Sequence, residues 1–279
     1  SVGKRTHAAA QPVWASFQLP DFFVQSKAPE WTDPARPGVF AFEPTPEVEA
    51  RVLGQYLLRE HGGERIAVWH TQEFREAAFV LLRHGFTPQA QRKESDTTSD
   101  QLQGIVKRLK RARPQVVVAF AEYGDLLRFL HAFDAEGGSS LVYVGTTLAD
   151  SETVNLLNPT MLERLRLLTA LPLTLEQDHA GIQLHRKLLE VYAPDLAMSR
   201  WSVQGQAVAE LMTAVLKRSG RDLSANTALR AAERLYLPQS HLLPPVELDS
   251  QQHRALTSLR VIQLHPDRVD YLSDWINGR

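Results

Sequence analysis

Three short polar runs, each directly after an apolar run, hold the side chains of this chain that are best suited to chemistry. The first contains His70 and Glu73, the second Glu122 and Tyr123, and the third Thr147. Imidazoles and carboxylates are the groups that most often transfer protons in enzymes, so His70, Glu73 and Glu122 are acid–base candidates if folding brings them together. Polar residues after a strand are also typical of ordinary turns, which leaves binding, catalysis and a structural role open.

Motifs of common enzyme classes are absent from the sequence. It has no GxxxxGK[ST] phosphate-binding loop, no GxGxxG after a predicted strand, no HExxH and no GxSxG. It also has no cysteine, which excludes disulfides, thiolate zinc sites and cysteine nucleophiles. We therefore expect no catalytic residue, no metal and no cofactor, and we predict that the chain is not an enzyme.

The charge balance of the chain restricts its partners. Its 279 residues include 31 Lys and Arg against 32 Asp and Glu, a formal net charge of -1. Such a chain has no overall positive field, so a nucleic-acid partner is not expected. The basic run 107–113 would close a predicted helix and complement its dipole. No apolar run approaches the roughly 18 residues that span a bilayer, so no direct membrane insertion is predicted.

The elements that position the polar runs alternate between strand and helix. Apolar runs predict strands at 66–69, 116–120 and 141–144, and helical patterns predict helices at 45–61, 74–84, 99–113 and 125–136. This alternation predicts an α/β fold with a parallel sheet and helices on both faces. Ligands bind such sheets at the carboxyl ends of the strands, which is where the polar runs lie.

The two ends of the chain have other patterns. Beyond residue 172 the sequence predicts helices at 175–192, 203–219 and 227–235, followed by a strand at 258–264. Before Thr45 little regular structure is predicted, because five prolines interrupt short apolar pieces, namely Pro12, Pro20, Pro29, Pro34 and Pro37.

Six stretches, in order and over nearly the whole chain, resemble segments of one protein family. They are VFAFEPTP at 39–46, RIAVWHTQEF at 65–74, TSD at 98–100 with RPQVVV at 113–118, LLTALP at 167–172, VQGQAVAEL at 203–211 and LPPVELD at 243–249. The family is that of the type I periplasmic solute-binding proteins, the extracellular ligand-binding receptors of branched-chain amino acid and amide transport systems.

The resemblance implies two doubly wound parallel-sheet lobes joined by three crossings. It assigns residues 1–40 and 172–240 to lobe I, and residues 41–171 and 241–279 to lobe II. Matched to the family, the chain begins near the fourth strand of the first lobe, so two to three βα units are missing and that lobe is expected to be incomplete. Apolar residues of the long helix, such as Val208, Leu211 and Val215, are then expected to lack a partner.

The resemblance also implies a function. A member of this family closes on a small polar solute, amino-acid-like, an amide or a carboxylate, in an interlobe cleft and delivers it to the permease of an ABC transporter. Its location is periplasmic or extracellular. The alternatives are a ligand-sensing receptor or regulator domain of the same fold, a degenerate relative that no longer binds, and an α/β enzyme that uses His70, Glu73 and Glu122.

Carried over residue by residue, the resemblance predicts eight ligand-binding positions. They are Thr6, His7, Ser26 and Lys27 in the first lobe, and Phe74, Glu122, Tyr123 and Thr147 in the second. His7 stands where the family usually has Ser, and Lys27 replaces a hydroxyl. Thr147 stands where amino-acid binders carry the acid that pairs with the ligand ammonium. These differences favour an anionic or carboxylate-bearing solute, unless Glu122 supplies the missing acid.

Overall fold

The fold is described by a computed structural model that covers residues 3–17, 19–32, 38–85, 93–94 and 99–279. The helices are α1 Lys4–Ser16, α2 Pro46–His61, α3 Arg75–Leu82, α4 Ser99–Ala112, α5 Tyr123–Ala135, α6 Thr153–Leu156, α7 Pro159–Arg164, α8 Ala180–Tyr192, α9 Arg200–Ser219 and α10 Ala225–Ala232. The strands are β1 Asp21–Val24, β2 Val39–Ala41, β3 Ile66–Thr71, β4 Lys93–Glu94, β5 Val116–Phe120, β6 Leu141–Val144, β7 Leu165–Thr169, β8 Tyr236–Leu237, β9 Val246–Glu247, β10 Ser258–Leu264, β11 Val269–Tyr271 and β12 Ile276–Asn277.

The chain divides into two compact units. The first consists of Ser1–Thr45 and Ala170–Ser258, and the second of Pro46–Thr169 and Leu259–Arg279. Each unit is therefore built from segments that are distant in sequence. The assignment of these units to the two lobes of the family stays a prediction.

The second unit is built on one mixed sheet. Its strand order is β11-β10-β7-β6-β5-β3-β4, with β12 beside β10. The neighbouring strands β4, β3, β5, β6 and β7 run parallel, with Ile66 opposite Val116 and Val116 opposite Leu141. Strand β10 is antiparallel to both β7 and β11. The predicted α/β fold with a parallel-rich sheet is confirmed.

Local sequence explains the central elements of this unit. All five residues of β5 are buried, as expected for a parallel strand that is covered on both faces. Helix α2 begins at Pro46, has acidic residues in its first turn and Arg59 and His61 in its last turn, an arrangement that complements the helix dipole. The ring of Trp69 in β3 stacks on Phe129 of α5 at 4.4 Å, which fixes a helix against the sheet.

The first unit has less sheet among its described residues. Strands β1 and β2 form a parallel pair, and β8 and β9 an antiparallel pair. Four helices accompany them, and α9 packs against α8 and α10. Capping boxes begin α9 at Ser199 and α10 at Ser224, and in each the backbone N–H groups of the N-cap residue and of the residue three positions later are satisfied.

Two expectations about this unit were wrong. The segment before Thr45 contains the 13-residue helix α1, with Pro12 inside it, and the strand β1. Pro12 removes one backbone N–H donor, yet the helix continues to Ser16. Leu211 and Val215 of α9 are fully buried and so have packing partners, whereas Val208 is partly exposed.

Candidate functional site

Four of the predicted ligand-binding residues lie at one edge of the sheet in the second unit. Phe74 ends the short 3-10 turn Gln72–Phe74 after β3, Glu122 and Tyr123 begin α5 after β5, and Thr147 lies in the turn Thr146–Leu148 after β6. Because β3, β5 and β6 are neighbours and parallel, their carboxyl ends meet at the same edge. The order of strands, rather than sequence proximity, brings these residues together.

The exposure of these four residues differs. Glu122 is exposed and Tyr123 retains 45% of its accessible surface, so both side chains reach the surface of the unit. Phe74 is only 6% exposed, whereas Thr147 is partly exposed. An aromatic ring, a carboxylate and a hydroxyl therefore lie along the edge, which is a set of groups suited to a small polar molecule.

A residue that sequence reasoning missed, Glu49, supports the same edge. Its side chain comes from the first turn of α2 and is 1% exposed. Its Oε1 atom accepts hydrogen bonds from the backbone N–H of Thr146 at 3.1 Å and from Thr146 Oγ1 at 2.6 Å. Glu49 shares a helix face with Val52, Leu53 and Tyr56, and a carboxylate on such an apolar face was the signal available in the sequence.

The acid–base candidates of the enzyme alternative differ in their surroundings. His70 is 2% exposed, and its Nδ1 atom lies 2.9 Å from the carbonyl oxygen of Thr71. Glu73 and Glu122 are both exposed. One nitrogen of the His70 ring is therefore occupied by the backbone, while the two carboxylates face solvent.

In the first unit, Trp31 connects two of the predicted ligand-binding residues. The ring of His7 meets Trp31 edge-on at 4.2 Å, and Trp31 Nε1 donates a hydrogen bond to Ser26 Oγ at 3.1 Å. Ser26 is 3% exposed, and Lys27 beside it is partly exposed. Both follow β1, so they also lie at the carboxyl end of a parallel strand. Sequence reasoning missed Trp31, because its contact with His7 joins α1 to the segment after β1.

Thr6 and His7, two of the predicted ligand-binding residues, lie in the first turn of α1, which Gly3 precedes. Gly3 adopts a φ of 83°, and its N–H donates to the carbonyl oxygen of Gln25 at 2.8 Å. Thr6 is exposed in the first turn. His7 is fully buried, and its Nε2 atom lies 3.1 Å from Asp21 Oδ2. Burial raises the pKa of Asp21 above its usual value, against the opposing effect of the His7 charge.

Arg254 fixes the segment that carries Ser26 and Lys27. Its side chain is 3% exposed, and its Nη1 atom donates to the carbonyl oxygens of Ser26, at 3.3 Å, and Glu43. Its Nη2 atom donates to the carbonyl oxygen of Ala28 at 3.0 Å and to Thr32 Oγ1 at 3.4 Å. A planar guanidinium offers several donors in fixed directions, so one side chain holds three backbone carbonyls in place.

The described residues contain neither a cluster of metal ligands nor a helix that could cross a membrane. No group of three or more His, Cys, Asp or Glu side chains in residues 3–17, 19–32, 38–85, 93–94 and 99–279 could hold a metal ion. Over the same residues, every helix is too short or too polar to cross a membrane.

Comparison with known proteins identifies the family. The model of the family described as periplasmic binding protein matches residues 2–268. The chain belongs to the periplasmic binding protein family. The match covers most of both units of this periplasmic binding protein and includes every predicted ligand-binding residue. No curated protein matches the chain.

Solved structures support the type I fold of this periplasmic binding protein. It is similar to a structure described as an ABC transporter permease from the Pseudomonas fluorescens group, with a TM-score of 0.77, 16% identity, and 96% of this chain and 72% of the other covered. It is also similar to a branched-chain amino acid ABC transporter from Thermus thermophilus with bound valine. The TM-score is 0.72 and the identity 15%, over 97% of this chain and 75% of the other. A third similar structure is a leucine binding protein from Thermotoga maritima, with a TM-score of 0.74 and 14% identity over 99% of this chain and 78% of the other.

Proposed function

We propose that this chain binds a small polar solute, amino-acid-like, an amide or a carboxylate, and presents it to the permease of an ABC transporter. The observation that carries the proposal is the edge formed by the parallel neighbours β3, β5 and β6. Phe74 follows the first of these strands, the pair Glu122 and Tyr123 follows the second, and Thr147 follows the third. Membership of the periplasmic binding protein family supports it. The valine and leucine named for two similar structures make amino acids the first solutes to test.

Each unit has its own set of proposed contacts. In the second unit, Tyr123 offers a ring face, Glu122 a carboxylate and Thr147 a hydroxyl, and Phe74 is buried at the same edge of the sheet. In the first unit the contacts are Ser26 and Lys27, with Thr6 exposed at the first turn of α1. The Lys27 ammonium suits a carboxylate or another anionic group. His7 is fully buried, so its contribution passes through Trp31 and Ser26.

The proposal includes a location and excludes catalysis. A protein that serves an ABC importer in this way acts in the periplasm or at the outer cell surface, which agrees with the name of the family. Binding without turnover fits the His70 ring, which is buried and directed to the carbonyl of Thr71, while Glu73 and Glu122 stay in solvent.

Thermal unfolding of the 279-residue chain tests the proposal. The ligands are a panel of amino acids, their amides, dicarboxylates and aromatic acids, each at several concentrations, with isothermal titration calorimetry on those that respond. A ligand that binds only the folded chain stabilises it by about 2.7 kcal/mol at 100 times its Kd, so the midpoint rises with concentration. A folded chain whose midpoint responds to no member of the panel would falsify the proposal.

A further inference from the structure

Glu49 places a buried carboxylate directly against the strand end that carries Thr147. Its Oε1 atom accepts both the backbone N–H and the hydroxyl of Thr146, at 3.1 and 2.6 Å. A Cβ atom built on Gly145 would lie 1.9 Å from Glu49 Oε2 and 2.7 Å from Cδ. The carboxylate therefore rests on the backbone of Gly145, a close approach that only glycine permits.

These are the contacts that a bound anion would use at this strand end. A backbone N–H, a hydroxyl and a glycine that allows close approach together make a good receptor for a carboxylate. In this chain the carboxylate is supplied by α2. An anionic group of a solute would have to displace the carboxylate of Glu49, which is part of the chain and cannot diffuse away. It would also be repelled by the charge of that carboxylate, which water screens poorly because the side chain is 1% exposed.

We infer that Glu49 is a specificity-determining residue of the second unit. It occupies the backbone N–H and hydroxyl donors of Thr146 beside Gly145, so the solute group that faces Thr147 is uncharged or cationic. The inference rests on the proposed function in one respect, because it takes Thr147 as a position that contacts solute. The occupation of these donors by Glu49 is independent of any solute.

The first experiment asks whether the strand end binds an anion once Glu49 is shortened. Thermal unfolding of the Glu49→Ala variant is followed in sodium formate and in sodium chloride of equal ionic strength. Formate is expected to raise the midpoint saturably, by several degrees more than chloride, because it fits the space beside Gly145 and Thr146. The wild type and the Glu76→Ala variant, which removes an exposed acid of α3, should respond equally to both salts.

The formate experiment remains decisive if Glu49→Ala is obtained unfolded. The readout is then the yield of folded variant after refolding in formate and in chloride, and a higher yield in formate is expected. Equal midpoints or equal yields in the two salts overturn the inference. No solute is used, so this outcome does not depend on the proposed function.

The second experiment measures charge preference with the Glu49→Gln variant, which keeps the Oε1 acceptor and the side-chain volume. The probes are L-leucine and 4-methylpentanoate, which share a skeleton and differ in the ammonium group. The preference for L-leucine over 4-methylpentanoate, measured as the ratio of the two Kd values, is expected to be at least tenfold lower in the variant than in the wild type. A ratio equal to that of the wild type overturns the inference. A wild type that binds no solute of the panel instead counts against the proposed function, and the formate result then decides the role of Glu49.

Discussion

The Nε2 atom of His61 lies 2.8 Å from the hydroxyl oxygen of Tyr143, which joins the last turn of α2 to β6. The Nδ1 atom of the same ring lies 3.0 Å from Glu64 Oε2. In the arrangement that satisfies both contacts, Nδ1–H donates a hydrogen bond to the carboxylate and Nε2 accepts a hydrogen bond from the hydroxyl of Tyr143. Tyr143 is 1% exposed, and burial, followed by the nearby Tyr56, raises its pKa well above the usual value of 10.0.

The raised pKa of Tyr143 predicts a loss of stability at high pH. Above about pH 10 the unfolded chain releases the phenol proton while the folded chain keeps it, so the free energy of unfolding falls by up to about 1.4 kcal/mol per pH unit. Urea unfolding at pH 8 and pH 11 measures the loss. Tyr143→Phe should reduce it, with a remainder from Tyr56, whose pKa is also raised by burial. Tyr192→Phe, at an 80% exposed residue, is the control. An equal pH dependence in Tyr143→Phe and wild type would contradict the prediction.

Replacement of Arg254 should destabilise the chain strongly. Arg254→Met keeps much of the side-chain volume but leaves the carbonyl oxygens of Ser26, Ala28 and Glu43 without the guanidinium donors. The expected decrease in the free energy of unfolding is about 3 kcal/mol. Chemical denaturation provides the measurement, and Arg221→Met, at an exposed position of the same unit, should change it by less than about 0.5 kcal/mol. Equal midpoints for the two variants would show that these contacts contribute little.

Lys27→Ala should weaken an anionic solute about tenfold, which corresponds to about 1.4 kcal/mol. The physical reason is the loss of a charge-assisted hydrogen bond from the ammonium group. Calorimetric titration of the best anionic member of the solute panel provides the Kd. Lys187→Ala removes an exposed ammonium from α8 and should leave the Kd unchanged. If both variants bind as the wild type does, Lys27 is an ordinary surface residue.

Tyr123 allows a clean separation of binding from stability. Its side chain is 45% exposed, so Tyr123→Ala should change the free energy of unfolding by less than about 0.5 kcal/mol. If the ring covers the solute, the same variant should raise the Kd at least tenfold, as loss of an aromatic contact commonly does. Unfolding and calorimetric titration of one preparation measure both quantities. A Kd within twofold of the wild-type value would place the solute away from the beginning of α5.

Local signals in the sequence account for the well-predicted elements. Helix α2 has the predicted end at His61, because Gly62 and Gly63 follow it, and its first helical residue is the proline that fits that position. The strands β5, β6 and β10 have the predicted bounds, because each is a continuous apolar or alternating run. The sequence does not predict β7 as a strand. Its second half lies in the run 167–172, which is one of the stretches that resemble the family.

The supporting residues of the candidate site depend on contacts between distant parts of the chain. Glu49 and Thr146 are 97 residues apart, and Arg254 and Ser26 are 228 apart. No local pattern encodes such pairs, because they exist only after the strands have found their order. Glu49 was detectable as a carboxylate on an apolar helix face, whereas Arg254 has no comparable signal around it. The proposed ligand-binding residues stay predictions, and of the two residues that support them only Glu49 had a signal in the sequence.

The contact between Glu49 and Gly145 predicts a strong energetic coupling. Gly145→Ala forces a Cβ atom to within 1.9 Å of Glu49 Oε2, so the variant should be destabilised by more than about 2 kcal/mol. Shortening Glu49 removes the clash, and the double variant Gly145→Ala with Glu49→Ala should therefore be destabilised by at least about 1 kcal/mol less than the sum of the single variants. Gly124→Ala is the matched control, because a Cβ there meets no atom within 4 Å and alanine favours the first turn of α5. Unfolding free energies that add within about 0.5 kcal/mol would show that the carboxylate moves aside freely, which would remove the basis for treating Glu49 as a fixed occupant of this strand end.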